Sequence, residues 1–132
     1  MAFSWPIRVY WEDTDAGGVV YHARYLHFFE RARTEWLRKA GVSQSDLQQK
    51  QDVVLVVKEA YLDILRPARI DDALSATVRI AQIGRASFQV HQELWRGSDC
   101  LSKAEVKIAC LRASSFKPCG LPLDVNKVLQ DE

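Results

Sequence analysis

Asp13, Asp15, Tyr21, His22 and Tyr25 lie within one 13-residue stretch, DTDAGGVVYHARY, together with the adjacent glycines Gly17 and Gly18. A carboxylate held in such a loop can attack an electrophilic carbon or act as a general base on water. It can also be an ordinary turn or helix-cap carboxylate. The stretch runs into a helical pattern, and a helix start offers N–H groups that lack intrahelical partners at the positive end of the helix dipole. Gly17 and Gly18 carry no Cβ, so the backbone there can come close to a bound molecule. His22 follows Asp15 by seven positions and is read either as a group that orients water or tunes the carboxylate, or as a structural donor. His22 and His27 are five apart, a poor spacing for sharing a metal on one helical face, and no metal or other cofactor is inferred. The chain has no G-x-S-x-G motif and no cysteine near a histidine in sequence, so nothing favours a serine or cysteine nucleophile.

The surrounding periodicities say what positions this loop. Ile7, Val9 and Trp11 alternate with Arg8, Tyr10 and Glu12, which predicts a strand over 7–12. From Ala23 to Ala40 the period becomes helical, with Tyr25, Phe29, Ala32 and Trp36 on one stripe beside Leu26 and Leu37, and Gly41 stops it. The arginines and lysine of that helix, Arg31, Arg33, Arg38 and Lys39, read as a solvated face. The polar segment 42–51 allows one more helical turn, with Ser43 and Ser45 as capping types. Strand patterns follow over 53–65, 74–80, 88–94 and 103–110, broken by Arg66-Pro67, Gly84-Arg85 and Gly97-Ser98-Asp99. Pro122 marks the start of a last short helix. Strand, long helix, then four strands predicts an α+β fold in which one helix covers an antiparallel sheet of about five strands.

The 132 residues suggest a single domain over 1–132. A net charge of +1 argues against nucleic acid as a partner. The odd set Cys100, Cys110 and Cys119 matches no zinc spacing and reads as reduced thiols. No basic-then-apolar leader opens the sequence and no apolar run is long enough to span a membrane, so a soluble cytoplasmic protein is expected.

RVYWEDTDAGGVVYHARYLHFFERARTEWLR, residues 8–38, resembles the opening of the hotdog-fold acyl-CoA thioesterases of the 4-hydroxybenzoyl-CoA thioesterase class, and more narrowly the Tol–Pal-associated (YbgC-type) thioesterases of bacteria. The pattern D-x-D-x-x-G-x-V-x-x-x-x-Y is met by Asp13, Asp15, Gly18, Val20 and Tyr25. A weaker likeness lies in GRASF, residues 84–88. The resemblance implies a hotdog fold in which the sheet wraps the long helix, a dimer that joins two sheets edge to edge or a tetramer of two such dimers, and active sites between subunits. It also implies hydrolysis of an acyl-CoA thioester, with Asp15 as the carboxylate, as nucleophile or general base, and the His22 backbone amide as oxyanion donor. Tyr21 and Tyr25 become pocket-wall residues, Asp13 a holder of the loop, and Arg85 and Ser87 contacts for the CoA end, with Arg66 and Arg69 as weaker ones. Acyl carrier protein is a further partner to consider. Two alternatives remain at this point: a hotdog dehydratase, and a non-catalytic module that binds acyl groups or acyl carrier protein.

Overall fold

The computed structural model describes residues 3–130. Its elements are β1 (Phe3–Arg8), α1 (Arg24–Lys39), α2 (Gln44–Gln51), β2 (Val53–Ile64), β3 (Ala73–Ile83), β4 (Ser87–Arg96), β5 (Asp99–Arg112) and α3 (Leu123–Gln130). The five strands form one antiparallel sheet in the order β1-β3-β4-β5-β2. The predicted α+β class and strand number hold.

Helix α1 packs on one face of this sheet because one stripe of it is apolar. Tyr25, Phe28, Phe29, Ala32, Trp36 and Leu37 are all buried, at the three- and four-residue spacing of one helical face. They meet the inward residues of the strands, among them Val78, Phe88, Val90, Leu94 and Val106. The helix ends in a Schellman motif: Gly41 N–H donates to Arg38 O and Val42 N–H donates to Leu37 O, with Gly41 at φ +89°. Val42 is buried, which supplies the apolar contact that usually accompanies this turn. Ser43 then caps α2, its Oγ accepting from Asp46 N–H at 3.3 Å. At its other end α1 begins differently. Its N-cap is Ala23, which has no side-chain acceptor to offer.

The predicted strand over 7–12 is the main correction. β1 is Phe3–Arg8, and Trp11–Asp13 form a 3₁₀ turn. The alternation holds through Ile7 and Val9, both buried, but the Asp13 carboxylate then accepts from Tyr10 N–H at 2.8 Å, and Asp13 N–H donates to Tyr10 O. That local pairing ends the ladder and leaves Trp11 82% exposed instead of in the core.

The outer sheet face carries a cluster of charges on β4 and β5. His91 Nδ1 lies 2.5 Å from Glu105 Oε1, its Nε2 lies 3.1 Å from Glu93 Oε2, and Trp95 Nε1–H donates to Glu93 Oε1 at 3.2 Å. Arg79 of β3 and Lys103 of β5 stand opposite His91 and Glu93, with Lys107 one pair further along β5. Burial disfavours the imidazolium, but the hydrogen bonds and charges of Glu105 and Glu93 outweigh it and raise the His91 pKa. Burial likewise works against the Glu93 carboxylate, yet His91 and Trp95 hold its pKa below the ordinary range. A raised histidine stabilises the fold fully below its unfolded value of about 6.5, and a lowered glutamate does so fully above about 4.3. The melting temperature should therefore fall as pH rises through the raised His91 pKa, and also as pH drops through the lowered Glu93 pKa. In His91→Gln the alkaline step should vanish in a melting series across pH; its persistence would assign the step to another group.

Candidate active site

The stretch from Asp13 to Val20 is a tight flap. Asp15 N–H donates to Val19 O at 2.9 Å, Gly18 N–H to Asp15 O at 3.0 Å, and Thr14 bridges Val20. The flap is tied down on the β2–β3 connection, where Val20 N–H donates to Ala68 O at 2.8 Å and Val19 bridges Arg69. Val20 is buried and anchors it to the core. Each glycine has a distinct reason. Gly18 sits at φ +80°, a left-handed conformation that side chains resist. A Cβ on Gly17 would stand 3.2 Å from Asp15 Oδ1, the same atom that accepts from Gly17 N–H at 2.8 Å.

The two carboxylates have opposite environments. Asp13 is 1% exposed. Its Oδ2 takes Tyr10 N–H, while its Oδ1 is sealed from solvent without a hydrogen bond, 3.7 Å from Arg24 Nε. Its backbone O also accepts from Tyr21 N–H at 2.9 Å. Asp13 thus holds the loop together. Asp15 is exposed, with Oδ1 fixed by Gly17 and Oδ2 facing outward without a partner among the described residues. It lines an open cavity of about 450 Å³ with Trp11, Thr14, Ala16, Gly18 and Ile70. Trp11 beside Asp15 was not a candidate on the sequence, where alternation placed it in the core.

The helix start supplies the second half. Tyr21 N–H is engaged by Asp13, but among the described residues nothing accepts from His22 N–H. Tyr21 and His22 are both exposed, and their ring centroids lie 4.5 Å apart; neither lines the Asp15 cavity. Tyr25 is 1% exposed and its hydroxyl accepts from Ala68 N–H at 3.0 Å, so it is an internal strut that joins α1 to the β2–β3 connection.

Arg85 and Ser87 lie elsewhere. The flap sits at the Ala73 end of β3, where Val9 N–H donates to Asp72 O. Arg85 and Ser87 sit past its other end, in the turn closed by Gly84 N–H to Ser87 O at 2.7 Å. The eleven-residue β3 separates them by roughly 33 Å. Arg69, bridged to Val19, is the arginine on the flap side, whereas Arg66 pairs with Asp99 at 3.3 Å.

A groove between α1 and β2 completes the concave features. It consists of two adjoining depressions, about 530 and 210 Å³, which share Glu30, Arg33 and Val57. Arg33 departs from the solvated-face expectation: its Nη1 donates to Gln92 Oε1 at 2.9 Å, and burial lowers its pKa, with Glu30 acting in the other sense. Gln92 is fully buried under the helix. Among the described residues no group of His, Cys, Asp and Glu side chains is arranged to hold a metal ion, and no helix is long and apolar enough to cross a membrane.

An exposed carboxylate and an unengaged amide thus lie on the loop that leads into α1, and α1 is laid across a five-stranded antiparallel sheet. A family model described as the thioesterase-like superfamily matches residues 9–129, and the chain belongs to that family. Among its relatives, the acyl-CoA thioesterase YbgC of Haemophilus influenzae is 48% identical over 124 residues, covering 94% of this chain and 91% of that one. The acyl-CoA thioester hydrolase YbgC of Escherichia coli O6:H1 is 42% identical over 93% of this chain and 92% of that one. A solved 1,4-dihydroxy-2-naphthoyl-CoA thioesterase from Synechocystis superposes with a TM-score of 0.92 at 26% identity, covering 99% of this chain and 97% of that one. The resemblance in residues 8–38 and the hotdog fold therefore hold.

Proposed function

We propose that the protein hydrolyses acyl-CoA thioesters, with Asp15 as the reacting carboxylate and the His22 N–H as oxyanion donor. The observation that supports this is the presence of an exposed Asp15 and an unengaged His22 amide on one internally hydrogen-bonded loop. With Asp15 as general base, it takes a proton from water as the water oxygen bonds to the thioester carbon. The carbonyl electrons move to oxygen, where the His22 amide stabilises the charge. Collapse of this intermediate breaks the C–S bond, releasing the acid and the CoA thiolate, which regains a proton. With Asp15 as nucleophile, its carboxylate oxygen bonds to the thioester carbon and the C–S bond breaks, so CoA leaves as the thiolate and an anhydride remains; water then cleaves the anhydride to the free acid and the Asp15 carboxylate. The names of the relatives support the substrate class.

The site is completed, in this proposal, by a second copy. β1 ends the sheet as a short strand blunted by Pro6, whereas β2 ends it as a twelve-residue strand exposing Val57, Tyr61 and Ile64. Two-fold pairing of β2 with its copy reverses the partner end for end. The partner's Arg85 turn then lies at the same end of the joined sheet as Asp15 of this chain, in place of the roughly 33 Å separation along β3 within one chain. Arg85 there would face the phosphates of CoA with a forked pair of donors, and the acyl group would lie in the α1–β2 groove. A tetramer would pair two such dimers, in the cytoplasm. The test is free-thiol release from a panel of acyl-CoA and acyl carrier protein thioesters. Release of thiol with equal acid from acyl-CoA is expected; folded protein that releases none across the panel would overturn the reading.

A further inference from the structure

Arg33 sits where the two halves of the α1–β2 groove meet. Its guanidinium is set by a buried amide with only one possible orientation. Gln92 Nε2 donates to two main-chain carbonyls, Phe29 O at 3.1 Å and Thr77 O at 3.2 Å. Both of its hydrogens are thereby taken, so Oε1 must face Arg33 Nη1 at 2.9 Å. Among the described residues no carboxylate lies within ion-pair distance of Arg33. One bond to Gln92 leaves four of its five N–H donors without a protein acceptor among the described residues, and Arg33 lines the groove with Glu30 and with the apolar Leu26, Val57 and Val106. Arg33 lies eleven residues beyond His22, about 16 Å along the helix axis.

We propose that Arg33, positioned by Gln92, is a specificity-determining residue: it gives the acyl groove a charged inner limit that selects acyl groups too short to reach it, or ones whose far end carries an oxygen acceptor. This rests on the hydrolase reading above. A long aliphatic tail must press against the guanidinium and strip its remaining water without replacing the lost hydrogen bonds. A carboxylate or carbonyl at the tail supplies those bonds, and a carboxylate can do so with two parallel contacts. Because Arg33 stands at the waist of the groove, an acyl group entering from either end meets the same limit.

The experiment compares wild type with Arg33→Met, which keeps an apolar stem of similar length and removes the donors. kcat/KM is measured on butyryl-, octanoyl-, dodecanoyl- and adipoyl-CoA. The ratio of dodecanoyl- to butyryl-CoA should rise about tenfold or more in the variant, as each methylene gains an apolar neighbour. The ratio of adipoyl- to butyryl-CoA should fall by a similar factor. Arg33→Gln, which can still donate to Gln92, gives the same comparison should the Met variant not fold. Unchanged ratios in a folded variant overturn the proposal. Binding of non-hydrolysable acyl-CoA thioethers of the same four chains is read alongside. If wild type releases no thiol from any substrate, the hydrolase reading falls, and the binding ladder still decides whether Arg33 sets the limit.

Discussion

Asp15→Asn should lower kcat on a good acyl-CoA substrate by about 10²–10⁴, the usual scale for loss of a positioned base or nucleophile. The substitution is well matched to the site. The Asn side-chain oxygen can still accept from Gly17 N–H, the bond that fixes Asp15 Oδ1, so the flap should keep its shape. What disappears is the charge and basicity of the outward oxygen. Fold, assembly and affinity for CoA should change little, because Asp15 is exposed. Asp13→Asn should behave differently. The Asp13 Oδ1 is sealed without a hydrogen bond, so an amide there must bury an unpaired donor or displace Tyr10 N–H, at a cost of about 1–3 kcal/mol. Its effect should appear as a lower melting temperature more than as lost turnover. His22→Ala retains the backbone amide, so its loss in kcat should be smaller than that of Asp15→Asn. Near-normal turnover in Asp15→Asn, alongside a dead but folded Asp13→Asn or His22→Ala, would move the chemistry to another group.

A second large effect should come from the edge of the sheet. Replacing Tyr61 and Ile64 together by lysine places two charges on the β2 edge, the device by which natural sheets prevent edge pairing. Both residues are exposed within one chain, 68% and 40%, and neither lines the α1–β2 groove, so each protomer should still unfold cooperatively with its groove intact. Sedimentation at micromolar concentration should show the protomer alone. On the proposed two-fold arrangement turnover should fall about 100-fold, because the site would lose the second chain's groups that orient the CoA end. A monomeric variant with full activity would place the entire site within one chain.

The sequence makes α1 plain because six buried residues share one helical stripe, and that spacing needs no knowledge of what they touch. Asp15 stands out as a candidate only through the resemblance carried by the D-x-D pattern; what local geometry adds is its setting, the Gly17 N–H to the carboxylate and the positive φ of Gly18. The end of β1 was hidden. Ile7, Val9 and Trp11 alternate as a strand should, and only the Asp13 carboxylate on Tyr10 N–H ends the ladder after Arg8. Arg33 was hidden for a different reason. Its partner Gln92 is 59 positions away on β4, and a helix arginine among other basic residues looks solvated until the sheet is laid beneath it. The His91 cluster needs the β4–β5 register, which sets His91 opposite Glu105; alternation alone shows that both face outward, not that they meet.

The separation of the Asp15 flap from the Arg85 turn along β3 has a genetic consequence. On the two-fold arrangement, the two functional ends of any one chain serve different active sites. Lesions at the two ends can then complement one another. In a mixed dimer of an Asp15→Asn chain and an Arg85→Ala chain, one site inherits both defects, and the other receives an intact Asp15 from one chain and an intact Arg85 from the other. Two alleles that are each impaired alone would restore a working site when expressed together, although neither chain is wild type.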